Sequence, residues 1–485
     1  MRITAKEIAI ATSGQIVCGA AAAAVTGVAA DSRDDCEDKL FVPLAGANFD
    51  GHDFIDAAFA KGAKIALTSR DEINADKVPF HAAVVKVEDT LAALGALAAW
   101  YRMQFNPLVV GITGSVGKTT TKEMIALVLG KKYNVLKTAG NKNTEIGLPL
   151  TIFGLTAEHT ALVLEMGMSS PGEIARLSKI ARPDIAVITN IGDAHIKQFG
   201  TKQNILKAKL EILEGLSKNG TVFLNGDDML LNGLKGLIDR PVVYYGIDEG
   251  LDVTGADARK KGEFGLEFAF AWQNRNYNVV LNAAGAHNIH NALAAVAVGL
   301  QNGVPPKQIT EALSKFQPDK LRMNIMEIGA IRLINDAYNA NPQSVRAAID
   351  VLTELEGDGR RIAVFGDMLE LGDFARERHL EIGGYLSRKG VDILVAVGNN
   401  AADYAAGAKN ENGKNAPAPG ARSHSAAGDV ECHIFSKQRD VADFVINMLR
   451  PGDAVLVKGS RGMSMEQIAE AIETAVGVKP IQSIT

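Results

Sequence analysis

Residues 108–124 read LVVGITGSVGKTTTKEM, and the fold turns on whether this stretch is a strand, a phosphate cradle and a helix. The strict P-loop pattern GxxxxGK[ST] places its first glycine where Ile112 stands, so the match is to a shorter form, TGxxGKT, over residues 113–119. The physics survives the difference. Gly114 and Gly117 let the backbone turn its N–H groups inward, where a side chain would block them. Lys118 is spaced to reach outer phosphates, and the Thr119 hydroxyl to bind Mg²⁺. The helix that follows aims its positive end at the anion. The alternative is a glycine-rich turn that binds nothing.

The chain has 485 residues, which suggests about three domains. With 47% hydrophobic and 22% charged residues, it has the make-up of a globular protein able to build several cores. A net charge of -5 argues against a broad basic surface and so against a nucleic-acid partner. Cys18, Cys36 and Cys432 are odd in number and lack metal-like spacing, which suits a reducing cytoplasm. The start, MRITAKEIAIATSG, lacks a signal-peptide core, and the alanine-rich stretches are too short to span a bilayer. A cytoplasmic protein without membrane insertion is expected.

Residues 1–106 hold short strand-like runs and a helical pattern, Leu91 to Arg102, that leads to a hinge-like Asn106-Pro107. From 107 to 316 the apolar runs LVVGIT, ALVLEM, IAVITN and TVFLNG alternate with helical stretches, as strands covered on both faces of a parallel sheet do. HNIHNALAAVAVGLQNG closes this segment. From 317 to 485 a further βα series carries IRLIND, RIAVFGD, DILVAVG and DAVLVKGS as strands. Residues 407–429, rich in Gly, Asn, Ala and Pro, read as an exposed loop. No internal repeat is visible.

Ligands of open α/β sheets bind beyond the carboxyl ends of the strands, so the polar residues there are the candidates. Glu165 ends ALVLEM; it is either salt-bridged or a metal ligand. His195, after IAVITNIGDA, is a loop histidine or a Mg²⁺ ligand. Lys209 reads by itself as one helix lysine among several. Asp227 and Asp228 are a metal pair or a helix cap. Asp336 ends IRLIND, and Asn339, Asn341 and Pro342 then make a turn that can cap the helix beyond it. Lys458, Ser460 and Arg461 form either a cationic mouth or a surface cluster.

Taken in order, TGSVGKTT, ALVLEMG, ITNIGDAH, KAKLEI, LNGDD, HNIHNALAA, NDAYNANP and VLVKGSRGMSME resemble the Mur ligases, ATP-dependent amide-forming enzymes of peptidoglycan synthesis. The resemblance covers nearly the whole chain. It implies an α/β protein of three domains: an N-terminal uridine-nucleotide-binding domain (1–106), a central P-loop ATPase-like parallel-sheet domain (107–316) and a C-terminal Rossmann-like domain (317–485). GNKNTEIGLPLT at 140–151 and DAYNANP at 336–342 are most similar to the family member that joins D-alanyl-D-alanine to UDP-N-acetylmuramoyl-tripeptide. The other members usually carry a DxxH-type sequence where Tyr338-Asn339-Ala340-Asn341 stands.

The resemblance further implies ATP contacts at Thr113, Gly114, Ser115, Gly117, Lys118, Thr119, Thr120, Asn288, Arg322 and Asp336. Two magnesium ions would be held through Thr119, Glu165, His195 and a carbamylated Lys209. Lys118, Glu165, His195 and Lys209 would form the catalytic set. Ser32, Arg33, Asn48 and Phe49 would hold the uridine nucleotide, Asn143 and Thr144 the acceptor end, and Asn339 and Asn341 the dipeptide, with Lys458 and Arg461 as further substrate or ATP contacts from the third domain. Leu210 departs from the family's usual glycine beside the lysine, and Val116 from a small or polar residue in the loop. A monomer is expected, with the third domain hinged near Gln317-Pro318 and swung away until substrates close it. A folate polyglutamylase, or a nucleotide-gated binding protein without catalysis, are the competing readings.

Overall fold

Runs that carry hardly a polar residue cannot face water on either side, and four of them lie next to one another here. Val135–Lys137, Ala161–Glu165, Leu108–Thr113, Ile185–Ile188, Thr221–Asn225 and Val242–Gly246 form, in that spatial order, the parallel part of a nine-stranded sheet. The order places the carboxyl ends of three strands side by side, with Glu165 paired in register to Ile112 and Thr113 to Ile188. The computed structural model describes residues 1–46, 49–72, 74–262, 264–410 and 430–477.

The sheet is not wholly parallel, as the apolar runs had suggested. Val253–Lys261 joins Val242–Gly246 in parallel, and Gly265–Trp272 and Arg275–Leu281 follow it to make an antiparallel meander. Leu266, Phe268 and Phe270, spaced by two, are buried on one face of this extension. They pack with the helix His287–Gln301, which is apolar nearly all round and buried between the sheet and the helix Lys118–Leu129. Gly299 permits that approach: a Cβ there would lie 2.5 Å from Val128 Cγ1.

Before this sheet stands a five-stranded one, ordered Gln15–Gly19, Ala83–Lys86, Ile65–Thr68, Lys39–Phe41 and Gly27–Ala29. The helix Thr90–Arg102, capped by Asp89, leaves it and docks on the central segment. The Tyr101 hydroxyl donates to the Leu155 carbonyl at 2.7 Å, and Gly95 lies against Ile180. After the central sheet comes a six-stranded one, ordered Asn324–Ile328, Ile331–Asp336, Ala454–Lys458, Arg361–Gly366, Ile393–Val397 and Glu431–Phe435, parallel except for its first pair. Residues 407–410, expected in a loop, finish the helix Ala401–Asn410; the remainder of that stretch, 411–429, lies outside the described residues.

The strand Ala454–Lys458 is the spine of the third sheet, and a buried carboxylate holds its start. Asp453, 1% exposed, accepts from Arg360 Nη2 at 2.6 Å and from the Arg450 N–H at 2.8 Å. Removing one partner of a buried ion pair strands the other. Asp453→Ala is therefore expected to lower unfolding stability by about 3 kcal/mol, measured by urea titration.

Candidate functional site

The loop after the strand Leu108–Thr113 is bent by two glycines at positive φ, Gly114 at 147° and Gly117 at 83°. Gly114 presses on Thr189, whose Oγ1 would sit 1.9 Å from any added Cβ. Asn190, at the end of the neighbouring strand, pins the loop: its carbonyl accepts the Ser115 N–H at 3.0 Å and its Oδ1 the Val116 N–H at 2.9 Å. The Val116 N–H is thus spent inside the protein. The N–H groups of Gly117, Lys118, Thr119 and Thr120 donate to no described residue. They are the free first-turn donors of a helix, the arrangement that binds phosphate.

Lys118 folds back so that Nζ donates to the Gly114 carbonyl at 2.9 Å. Burial pulls its ammonium below the ordinary lysine range, with Glu165 opposing and Arg322 adding to the shift. Glu165 is 1% exposed, and no cation neutralises it at contact distance among the described residues. Instead its two oxygens accept from Thr119 Oγ1 and Asn143 Nδ2, both at 2.8 Å. His195 caps the short helix Ile196–Phe199 from the left-handed region, φ 63°, and its Nδ1 meets Glu370 Oε2 at 2.6 Å. Lys209 is buried to 1% exposure on the helix Lys202–Leu210. Its ammonium is pushed well below the lysine range by burial first and by Lys118 second.

These groups surround one cavity of about 870 Å³, inside the ~300–1,000 Å³ span of small-molecule sites. Ser115, Lys118, Thr119, Thr120, Glu165 and His195 line it from the central segment, with Asn143, Thr144 and Asn288. Thr113 and Lys209 are not in its wall. Thr113 is buried behind the loop and donates to the Met166 carbonyl at 3.0 Å.

The third segment supplies the opposite wall, through Arg322, Asp336, Tyr338, Asn339, Asn341 and Lys458. Its expected withdrawal is therefore not what the structure has. Contacts hold it in place: His195 to Glu370, the Lys197 N–H to the Glu370 carbonyl at 3.2 Å, and Lys260 to Glu354 at 3.1 Å. Asp336 lies beside its strand partner Lys458, Oδ2 to Nζ 2.5 Å, and accepts the Met323 N–H at 3.0 Å. Lys458, 2% exposed, is thus a buried, paired cation. Arg461 stays outside the cavity and pairs with Glu466 at 2.7 Å. The Arg322 guanidinium lies 3.8 Å over the Tyr338 ring. Asn341 caps the helix Pro342–Glu354 in a capping box with Ser344, and Asp228 caps Met229–Asn232, so both capping alternatives hold.

Ser32, Arg33 and Phe49 lie on the first segment, away from this cavity. Arg33 pairs with Asp31, the Ser32 carbonyl accepts from Lys61, and Phe49 is 74% exposed. Asn48 lies outside the described residues.

Sequence reasoning passed over several lining groups. Asn291 accepts from Thr121 Oγ1 at 3.1 Å and donates to Asn288 Oδ1 at 2.9 Å. His290 Nε2 meets Asp227 Oδ2 at 2.7 Å, and burial lowers His287 to about 4, with Asp336 opposing. The signal was present in HNIHN: polar residues three or four apart in an otherwise apolar helix face one side.

Three family models match the chain: "Mur ligase family, catalytic domain" over residues 24–102, "Mur ligase middle domain" over 112–299 and "Mur ligase, glutamate ligase domain" over 321–461. The chain is a Mur ligase family member. The UDP-N-acetylmuramoyl-tripeptide--D-alanyl-D-alanine ligase of Bacillus subtilis is 38% identical over 447 residues, covering 92% of this chain and 93% of its own length. That of Escherichia coli is 34% identical over 451 residues, with coverages of 92% and 93%. Among solved structures, MurF from Acinetobacter baumannii superposes with a TM-score of 0.85 at 31% identity, covering 98% of this chain and 99% of that one. MurF from Thermotoga maritima, in complex with ADP, gives 0.76 at 30% identity, with coverages of 93% and 97%. The three larger sheets of this Mur ligase thus belong to the family's three domains.

The cradle gives a direct test. A Cβ on Gly117 would lie 2.5 Å from Asn291 Oδ1, at a φ that side chains rarely adopt. Gly117→Ala is expected to fold, by circular dichroism, yet to bind Mg-ATP at least about tenfold more weakly by calorimetry, because the cradle donors are displaced.

Proposed function

We propose that this Mur ligase joins D-alanyl-D-alanine to UDP-N-acetylmuramoyl-tripeptide at the expense of ATP, and that the tripeptide carboxylate is activated as an acyl phosphate. One observation carries the reading: a single cavity joins free phosphate-binding N–H donors on one domain to a polar wall from another. The curated relatives matched over most of their length carry that ligase's name. The first domain, up to about residue 106, would take the uridine nucleotide through Ser32, Arg33, Asn48 and Phe49. The boundary to the third would fall near 316, and Asn339, Asn341 and Lys458 are its substrate-side residues, while Arg461 stands outside the cavity, paired with Glu466. The Lys458 part is indirect, since its ammonium is held by Asp336 and the Asn339 carbonyl. An ATP-consuming reaction of this kind belongs in the cytoplasm, and no helix among the described residues is long and apolar enough to cross a membrane.

The reaction runs in two displacements. The substrate carboxylate attacks the γ-phosphorus, and ADP leaves. The dipeptide amine then attacks the acyl carbon, the C–N bond forms as the acyl C–O bond breaks, inorganic phosphate leaves with the electron pair, and the amine gives up a proton. Lys118 and the N–H groups of residues 117–120 offset charge on the phosphoryl group throughout. Enclosure between two domains keeps water from the acyl phosphate.

The donor set suits magnesium. Thr119, Glu165 and His195 line one wall, and no group of three or more His, Cys, Asp or Glu gathers among the described residues. An ion bound so sparsely draws its remaining ligands from phosphate and water, which is the habit of Mg²⁺. When bound, the metal supplies charge neutralisation and orientation of the phosphates. Lys209 fits the carbamate that the family resemblance implies: its depressed ammonium leaves more neutral amine to add CO₂. The carbamate would turn a repelling cation into an anionic oxygen donor for a second ion.

Phosphate release should require both UDP-muramoyl-tripeptide and D-alanyl-D-alanine, and folate should not replace them; release with folate alone would overturn the substrate assignment. Assaying lysine and diaminopimelate tripeptides side by side decides the third residue. Glu165→Ala and His195→Ala should fold and lose about 100-fold or more in kcat, the carboxylate variant more, because it also removes charge. Lys209→Ala should be inactive and partly restored by short carboxylates that occupy the vacated anionic position. Full activity of Lys209→Ala without any additive would remove the carbamate from the scheme.

A further inference from the structure

His195 belongs to the central domain and Glu370 to the third, yet each is shaped to meet the other. Both are non-glycine residues in the left-handed region, His195 at φ 63° and Glu370 at φ 62°. Such backbone persists only where the surroundings hold it. Here the Lys197 N–H donates to the Glu370 carbonyl at 3.2 Å. Gly372, also at positive φ, lies so close to Lys197 that a Cβ would come within 2.9 Å of its Cγ. The turn at 370–372 is thus seated on the short helix that His195 caps. Arg378 of the third domain lies 3.9 Å from Asp193, two residues before His195.

On this seat, Glu370 Oε2 faces His195 Nδ1 at 2.6 Å. A carboxylate only accepts, so Nδ1 carries the proton, and in the neutral ring this leaves the lone pair on Nε2, the nitrogen open to a metal. The Glu370 side chain is 61% exposed and that of His195 25%, so the pair adds little to stability. What it sets is the tautomer and the direction of the ring. Carboxylates that hold a ligand histidine in this way tune metal affinity.

We propose that Glu370 is a positioning residue of the metal site. The third domain then orients a ligand that the central domain provides, and docking of the two domains and metal binding reinforce each other. The inference rests on His195 as a metal ligand, and the test separates the two. Mn²⁺, bound to the full chain with a non-hydrolysable ATP analogue, is titrated by electron paramagnetic resonance in Glu370→Ala, Glu370→Gln, His195→Ala and the double variant Glu370→Ala/His195→Ala. Circular dichroism checks each fold.

Glu370→Ala should weaken Mn²⁺ about tenfold, the lower end of the effect of removing an outer-shell partner. Glu370→Gln, whose amide oxygen still accepts from Nδ1, should stay within about threefold of the parent by the same argument. Adding Glu370→Ala to His195→Ala should cost nothing further, since the effect passes through the imidazole. A purely structural role would weaken binding in both backgrounds and overturns the proposal. Unchanged affinity in Glu370→Ala alongside weakened affinity in His195→Ala also overturns it, and leaves His195 as a ligand. Unchanged affinity in His195→Ala removes both.

Discussion

An ionised carboxylate taken out of water costs several kcal/mol unless charge or hydrogen bonds replace its hydration, and Glu165 sits at the end of a strand buried on both faces. The fold satisfies it with one hydroxyl and one amide, from Thr119 and Asn143. The Thr119 bond ties the strand Ala161–Glu165 to the first turn of the phosphate helix. The Asn143 bond ties it to the loop before Gly147–Ile152. Position and chemistry share this constraint. The two neutral donors leave the carboxylate's negative charge uncompensated at contact distance, and it faces the cavity that Lys118 also lines.

The rest of the site follows from strand order. With Ala161–Glu165 and Ile185–Ile188 flanking Leu108–Thr113, the loops that carry Glu165, Gly117 and His195 leave the sheet at one edge. Asn190 and Thr189 reach from the third strand's end to pin the loop after the second, through the Val116 carbonyl at 2.9 and 2.6 Å. The cradle's shape therefore depends on a strand some 70 residues away in the chain, |i−j| 74 for the Asn190 bond. Its opposite wall comes from further still.

This distance explains what could be read from the sequence. Strand, glycine turn and helix at 108–124 are contiguous, and their periodicity and φ requirements are local. Glu165, His195 and Asp336 stand out because a polar residue ending an apolar run is visible in one dimension. The strands 331–336, 361–366, 393–397 and 454–458 are legible for the same reason. The meander at 253–281 was not, since its alternation is interrupted by exposed charge at Arg259, Lys260 and Lys261. Nor does any local signal say that Lys458 faces Asp336 across 122 residues, which makes it a buried partner rather than a free cation. Glu370 lies in a turn without periodicity, and only the packing of two domains gives it a role.

Lys118 is half-buried at the cavity and Lys209 buried behind it, and the Lys118 charge makes that of Lys209 harder to hold. Arg322 adds a third positive group from across the cavity. Against these, Glu165 is the carboxylate common to both lysines, and Glu211 and Glu173 act on Lys209 only as further Coulombic partners. Interior charge this unbalanced favours either deprotonation or the arrival of an anion. A triphosphate held by the donors of 117–120 would supply the anion for Lys118 and Arg322. The carbamate proposed at Lys209 would remove that cation altogether. The surplus of positive charge is thus the electrostatic counterpart of the free N–H groups: both are left unsatisfied by the protein at the place where a phosphorylated substrate is to be held.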